Sequence, residues 1–344
     1  MLSRVADSIY WMSRYIERAE NVARFIDVNY RLTLDLPSGS QAQWQPLVDI
    51  TGDTEQFAER YGQATQRQVT QFLAFDSANP SSIFSCLQAA RENARSVRDI
   101  ISSEMWEHLN GSYLMIKAAT ATRTWMLDPQ ELCASVKTAN HLFSGITEAT
   151  MTHGEGWHFY RLGRWLERAD KTSRILDVKY FLLLPAMEDV GTTVDDIQWA
   201  AVLRSASAFE MFRKRHGRIS PDRVVNFLVL DREFPRAIRH CLMAAREAVH
   251  AITGTPSGIF RHPVEQTFGA LCSELAYAQV DDIIVRGLHE YLDELQTKMN
   301  QVDTHIRQTF FDARTVAPLG RKASRGAGIV QPGLAAAQTR VQSE

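Results

Sequence analysis

The chain predicts an all-α fold: an internally duplicated helical bundle whose halves are related by a pseudo-two-fold axis. Three observations carry this. Apolar residues recur at helical spacing, as Ile9, Met12, Ile16, Ala19, Ala23, Ile26 and Tyr30, and again as Phe159, Leu162, Leu166, Ala169, Leu176 and Tyr180. Helix starts are marked by Asp128-Pro129-Gln130-Glu131, which offers an N-cap, a proline at the first helical position and a glutamate to close a capping box. Most telling is a repeat. Residues 10–34 align with residues 160–184 at a constant offset of 150, with 11 identities in 25 positions. Unrelated segments would share roughly one or two. No run of alternating β-branched residues bounded by turns is present, so strands are not expected.

The elements follow in order. A helix near 3–34 carries the first apolar stripe. Short helices near 42–50 and 54–62 lie around Gln43-Trp44, a pair that recurs as Gln198-Trp199. Helices near 67–77 and 80–101 contain residues 72–92, which match 227–247 at an offset of 155 with 11 identities in 21 positions. Asn79-Pro80 offers a cap-then-proline start for the second of them. Residues 103–126 open on Ser103-Glu104-Met105-Trp106-Glu107-His108-Leu109-Asn110, and 129–149 follow the capping box. The second copy supplies helices near 155–184, 195–215, 221–231 (after Ser220-Pro221) and 235–253. A last helix spans 264–311. The change of offset from 150 to 155 puts a five-residue insertion between Leu184 and Gln198, in a stretch (PAMEDVGTTVDD) that reads as a linker. The expected domain is 1–315, with repeat one at about 1–150 and repeat two at about 151–312. Residues 316–344, rich in Gly, Ala, Ser and Pro, read as a flexible, mildly basic tail.

Bulk properties narrow the function classes. The chain has 344 residues, 38 Lys plus Arg and 40 Asp plus Glu, for a net charge of −2. A nucleic-acid footprint would be basic overall, so no nucleic-acid partner is expected. No stretch is apolar enough to span a membrane, and the N-terminus carries charges at Arg4 and Asp7 in place of a signal-peptide apolar stretch. There are four cysteines and no CxxC. Cys86 and Cys241 fall at equivalent repeat positions within Leu/Ala-rich runs, and read as buried, reduced thiols of a cytoplasmic protein.

The candidate site is a polar stripe present in both copies. Arg14, Glu17 and Arg18 lie within one helical turn, with Arg24 near the same face. Arg164, Glu167, Arg168 and Arg174 repeat them. Arg14 and Arg18 are like charges at i, i+4, which alone disfavours a helix. Two guanidiniums on neighbouring turns are useful when a planar anion lies opposite. That anion can be internal, the glutamate of the other repeat, giving a buried ionic lock. It can instead be an anionic ligand or partner segment held in a groove between the stripes. A solvated face is the third reading. A two-fold axis brings equivalent residues together and favours the first.

Other residues draw smaller expectations. Glu104, Trp106 and Asn110 sit beside the stripe as binding or network candidates, although Glu104 and Glu107 also suit a positive helix N-terminus and Trp106 suits a core. Arg91-Glu92 and Arg246-Glu247 suit lateral salt bridges. Glu155-x-x-His158 and Glu247-x-x-His250 are weak metal candidates, with Glu17, Glu104 or Glu167 completing a di-metal bundle site. They do not occupy equivalent repeat positions, and Glu155 is flanked by two glycines. GxxxxGK[ST], GxGxxG, GxSxG and HExxH are all missing from the sequence. The 213–218 run (RKRHGR) reads as a solvated helix end.

The opening MLSRVADSIYWMSRYIERAENVARFID, with EGWHFYRLGRWLERADKTSRILD and SSEMWEHLN, resembles the alpha-E family of bacterial all-helical proteins, named for a Glu-Arg motif. Here that motif is Glu17-Arg18, with a second copy at Glu167-Arg168. The resemblance covers roughly residues 1 to 312. It implies encoding beside, or fusion to, circularly permuted ATP-grasp proteins and transglutaminase-like or proteasome-like peptidases. The function it implies is an accessory, non-catalytic part in ATP-dependent amide or peptide bond formation, with ATP and Mg on the partner and no cofactor in this chain. The alternatives are an enzyme with an Arg/Glu site between the repeats, and a di-metal helical protein.

Overall fold

The computed structural model describes residues 1–35, 44–123, 126, 128–182 and 193–312. Expectations for the tail, for Gln43 and for most of the linker fall outside the described residues. Among the described residues every regular element is helical.

Two long helices form the centre. α1 (Ser3–Asp35) and α8 (Glu155–Leu182) cross directly. Their apolar stripes are buried as the spacing requires: Ile9, Met12, Ile16, Ala19, Ala23 and Ile26 on one, and Phe159, Leu162, Leu166, Ala169 and Leu176 on the other. The crossing is unusually close at Gly163. A Cβ there would lie 2.2 Å from Ser13 Oγ and 2.4 Å from the Tyr10 carbonyl oxygen. Only a glycine admits that approach.

The remaining helices pack around this pair. Between them in the chain come α2 (Gln45–Thr51), α3 (Thr54–Tyr61), α4 (Gln66–Ala74), α5 (Ile83–Ser96), α6 (Ser103–Thr122) and α7 (Pro129–Thr150). After α8 come α9 (Thr193–Ser205), α10 (Phe209–His216), α11 (Pro221–Val225), α12 (Ile238–Thr253), α13 (Pro263–Tyr277), α14 (Val280–Arg286) and α15 (Leu288–Ile306). π-helical turns, Asn226–Leu230 and Arg307–Phe311, extend α11 and α15. α1 packs on α5 and α7, whereas α8 packs on α12 and α15. α2 lies on α8, and α9 lies on α1.

Capping explains the starts. The side-chain oxygens of Thr65, Ser82, Ser102 and Asp128 each accept a backbone N–H from the first turn that follows. Several expected boundaries are corrected. Asn79-Pro80 does not start a helix: Asn79 Oδ1 accepts the Ser81 N–H at 2.8 Å in a turn, and Ser82 caps α5. Its counterpart α12 likewise begins at Ile238, after a turn in which Asp231 Oδ1 accepts the N–H groups of Glu233 and Phe234. The run expected over 80–101 ends as a helix at Ser96. The expected 195–215 helix breaks at Ser207, whose φ is +50°. The expected 264–311 helix divides into three, at an extended Ala278 and at Gly287 with φ +100°. Apolar spacing persists through these breaks because each short helix buries apolar residues of its own.

Candidate functional site

The polar stripes of α1 and α8 meet at the crossing, each glutamate facing the other helix's arginines. Arg18 grips Glu167 with two hydrogen bonds, Nε to Oε1 at 2.6 Å and Nη2 to Oε2 at 3.0 Å. Arg168 grips Glu17 in the same way, Nε to Oε1 at 2.7 Å and Nη2 to Oε2 at 2.9 Å. Arg14 Nε adds a bond to Glu167 Oε2 at 2.8 Å, while its counterpart Arg164 stays 3.8 Å from Glu17 Oε2, beyond hydrogen-bond range. Both glutamates have zero exposure. Aromatic rings orient the cations, with Arg14 over Trp11, Arg18 over Tyr15, and Arg164 and Arg168 over Trp165.

Electrostatics keep these groups charged. Burial pushes Glu17 toward the neutral form, but Arg168 and Arg236 together outweigh it and hold its pKa well below the usual carboxylate range. Glu167 is depressed likewise, with Arg18, Lys171 and Arg14 overcoming burial. Burial also lowers the charged-form preference of Arg18 and Arg168, and their glutamate partners more than restore it.

Sequence reasoning missed several members. Arg236 donates to both carboxylate oxygens of Glu20 at 2.9 Å and lies 3.5 Å from Glu17. Asn21 accepts another of its bonds at 3.2 Å. Asp303 receives Tyr10 Oη and Arg14 Nη1, each at 2.6 Å, and Lys171 lies 3.5 Å from Glu167. A signal existed for Glu20, because its counterpart Asp170 is also acidic. None existed for Arg236, whose counterpart is Ser81.

Arg24 and Arg174 do not reach Glu17 or Glu167. Each pairs one turn back on its own helix, with Glu20 and Asp170 respectively. Burial opposes ionisation of Asp170, yet Lys171 and Arg174 bring its pKa down to about 2. Glu104, Trp106 and Asn110 lie on α6, which packs on α5 and α7, so they gather elsewhere. Asn110 Oδ1 accepts Arg91 Nε at 2.7 Å, and the half-buried Trp106 ring carries Arg91 and Arg98 on its face. Glu104 is exposed in the first turn of α6. Arg91 and Glu92 form the expected lateral pair at 2.7 Å.

The weak metal candidates do not assemble. Glu155 pairs with the Met1 amine at 2.7 Å, His250 Nδ1 bonds the Thr255 carbonyl at 2.9 Å, and Glu247 is exposed on α12. Among the described residues no group of three or more His, Cys, Asp or Glu could hold a metal. The 213–218 run is the largely exposed end of α10, as expected, and Arg215 there pairs with Asp231 and with Glu233, the latter at 2.7 Å. All four cysteines are buried and free. Burial raises Cys86, Cys133 and Cys241 to about 12 and Cys272 to about 11. Among the described residues no helix is long and apolar enough to cross a membrane.

These features define an all-helical protein built around a buried, reciprocal glutamate–arginine network. Residues 1–311 match the Alpha-E family, described as a predicted alpha-helical domain with a conserved ER motif, and the chain belongs to that family. It is 25% identical over 311 residues to uncharacterized protein Mb2597 of Mycobacterium bovis and to uncharacterized protein MT2643 of Mycobacterium tuberculosis (strain CDC 1551 / Oshkosh). Uncharacterized protein Rv2567 of M. tuberculosis (strain H37Rv) is 24% identical over the same length. In each case 85% of this chain is covered, and the chain spans about a third (34%) of the relative's length. No solved structure matches the chain.

Proposed function

We propose that this is an internally duplicated module whose halves, about 1–150 and 151–312, are related by a pseudo-two-fold axis. In this reading the Glu-Arg motif is an ionic lock between them, and the module is a cytoplasmic, non-catalytic component of an ATP-grasp-dependent system that forms amide or peptide bonds.

Several observations support the duplication. The close approach at the helix crossing joins Ser13 to Gly163, which are equivalent positions at offset 150. Arg60–Asp76 and Arg215–Asp231 are ion pairs at equivalent positions at offset 155. Cys86 and Cys241 donate to the carbonyls of the equivalent Pro80 and Pro235. The extra cation is exchanged between halves. Around Glu17 it comes from the turn, as Arg236 beside Asn21. Around Glu167 it comes from the helix, as Lys171 at the Asn21 position, with Ser81 at the Arg236 position.

The observation that carries the accessory role is the saturation of Glu17 and Glu167. Both carboxylates are fully enclosed and already gripped by guanidiniums, which leaves the motif no open face for a substrate. The family resemblance and the greater length of the relatives support work within a larger assembly, with ATP and Mg held by an ATP-grasp partner and a transglutaminase-like or proteasome-like peptidase in the same system. Buried thiols with raised pKa suit a reducing compartment. The test is gentle purification of the tagged chain at native abundance, followed by mass spectrometry. Stoichiometric recovery of an ATP-grasp protein supports the reading. Recovery of the chain alone overturns it.

A further inference from the structure

An open cleft of about 750 Å³ lies where the end of α10 meets the π-helical turn Asn226–Leu230 and the first turns of α12. That volume suits a small molecule. Leu230 and the half-buried Met243 supply its apolar lining. Among the described residues that line it, the guanidiniums of Arg215, Arg232 and Arg239 face the carboxylates of Asp231 and Glu233. Arg215 serves both acids. Asp231 also accepts the backbone N–H groups of Glu233 and Phe234 at 2.8 and 2.7 Å. Arg232 and Arg239 have no ion-pair partner among the described residues. Arg239 reaches only the Leu230 carbonyl, at 3.5 Å, and its enclosed Nε makes no hydrogen bond. A guanidinium has five N–H donors and is held best by a planar anion that takes two of them. Burial, with Arg215 and Arg223, lowers the pKa of His216 at the edge of the cleft, so three guanidiniums against two carboxylates leave one net positive charge at neutral pH.

The matching segment at offset 155 adds two independent observations. The Arg215–Asp231 pair recurs there as Arg60–Asp76, so it belongs to a turn that both segments make. The positions matching Arg232 and Arg239 are Ser77 and Phe84. The turn therefore forms without these two arginines, and its stability does not account for them. The backbone differs at the same place. Residues 71–74 are α-helical in α4, whereas the matching residues 226–229 lie in the π-helical turn. Such turns are frequent at functional sites, and here both ends of the turn, Asn226 and Leu230, line the cleft.

We propose that this cleft binds the carboxylate of a small molecule that carries an apolar body. Arg232 and Arg239 grip the carboxylate, and Leu230 and Met243 take the apolar body. Arg215 stays committed to Asp231 and Glu233. The planar fork of a guanidinium matches a carboxylate. One net positive charge is balanced by a monoanion, which favours a carboxylate over a phosphoryl dianion. The site belongs to this chain alone and stands whether or not the chain partners an ATP-grasp protein.

Calorimetric titration of the full chain with hexanoate at fixed ionic strength, with acetate, hexanol and inorganic phosphate alongside, tests it. One hexanoate per chain is expected, bound about tenfold or more tighter than acetate, which lacks the apolar body. Hexanol, which lacks the charge, and phosphate should both bind more weakly than hexanoate. Arg232 is exposed and Arg239 bonds a single carbonyl, so Arg232→Gln with Arg239→Gln should keep the melting temperature and weaken hexanoate by about tenfold or more. Arg232→Gln alone, a change on an exposed side chain, should weaken it roughly threefold or more. Arg67→Gln, on α4 and outside the cleft, should bind as the unaltered chain does. No saturable hexanoate binding at millimolar concentration, or binding by the Arg232→Gln variant equal to that of the unaltered chain, overturns the site. Phosphate binding more tightly than hexanoate overturns the carboxylate assignment. Acetate binding as tightly as hexanoate overturns the apolar one.

Discussion

Replacing Glu17 with glutamine removes one charge and keeps the shape. In the native protein that carboxylate serves Arg168 at 2.7 and 2.9 Å, Arg236 at 3.5 Å and Arg164 at 3.8 Å. After the change Arg168, only 5 % exposed, has no carboxylate left to grip, and Arg236 leans on Glu20 alone. Removing one partner of a buried ion pair costs about 3–5 kcal/mol. The matching change, Glu167→Gln, should cost less, about 1–3 kcal/mol, because its cations keep other partners. Arg14 keeps Asp303 at 2.6 Å, Lys171 keeps Asp170 at 3.0 Å, and Arg18 is the most exposed of the gripping arginines. Urea unfolding at pH 7 measures both, through midpoints at unchanged m-value. At about 2–4 °C per kcal/mol, Glu17→Gln should also lower the melting temperature by roughly 6–20 °C. A Glu17→Gln cost below about 1 kcal/mol would refute the view that burial makes this pairing consequential. So would a Glu167→Gln cost that exceeds it.

Three further outcomes follow from the same geometry. Glu17, Glu167 and Asp170 have folded pKa values below their unfolded ones, so their contribution is complete above the ordinary carboxylate range and is lost as pH falls toward the folded values. Unfolding midpoints should hold steady from pH 7 to about 5 and drop between about 5 and 2, and the Glu17→Gln variant should show a shallower fall; equal slopes would count against it. Gly163→Ala drives a methyl into Ser13 and the Tyr10 carbonyl, and should destabilise by about 3 kcal/mol or more, whereas Gly111→Ala, on an exposed face with nothing within 4 Å, should stabilise by about 0.5–1 kcal/mol. Denaturant titration of both variants checks the contrast. Native protein at pH 8 should react with a thiol reagent far more slowly than unfolded protein, because the four thiols are buried with pKa near 11 to 12; rapid native labelling would contradict their enclosure.

The sequence was most legible where a residue is determined by its own helix. Ile9, Met12 and Ile16 announce a buried face through spacing, and the doubled Arg14–Glu17–Arg18 pattern picks out the positions that meet at the crossing. Contacts made by distant chain were not legible. Arg236 and Asp303 reach α1 from turns and helices more than 200 residues away, and neither has a counterpart of the same type to mark it. The distinction between Arg24 and Arg18 was hidden as well. Both lie near one face, but an acid four residues back captures Arg24, and only the rotation of the partner helix decides which arginine crosses over. The break at Ser207 left no trace in the spacing, because nothing about a serine signals a left-handed backbone.

The pairing of α1 with α8 also sets a timetable. The helices whose charges complete each other are separated by about 150 residues of chain. At a synthesis rate of roughly 5–20 residues per second, α1 exists for about 8–30 seconds before α8 has been made. During that interval Glu17, Arg14 and Arg18 have no partner helix, and neither does the apolar stripe beside them. The nascent first half must therefore wait with an unfinished seam, shielded by α5 and α7 or by a chaperone, and long-range closure of that seam is the step expected to pace maturation of the protein.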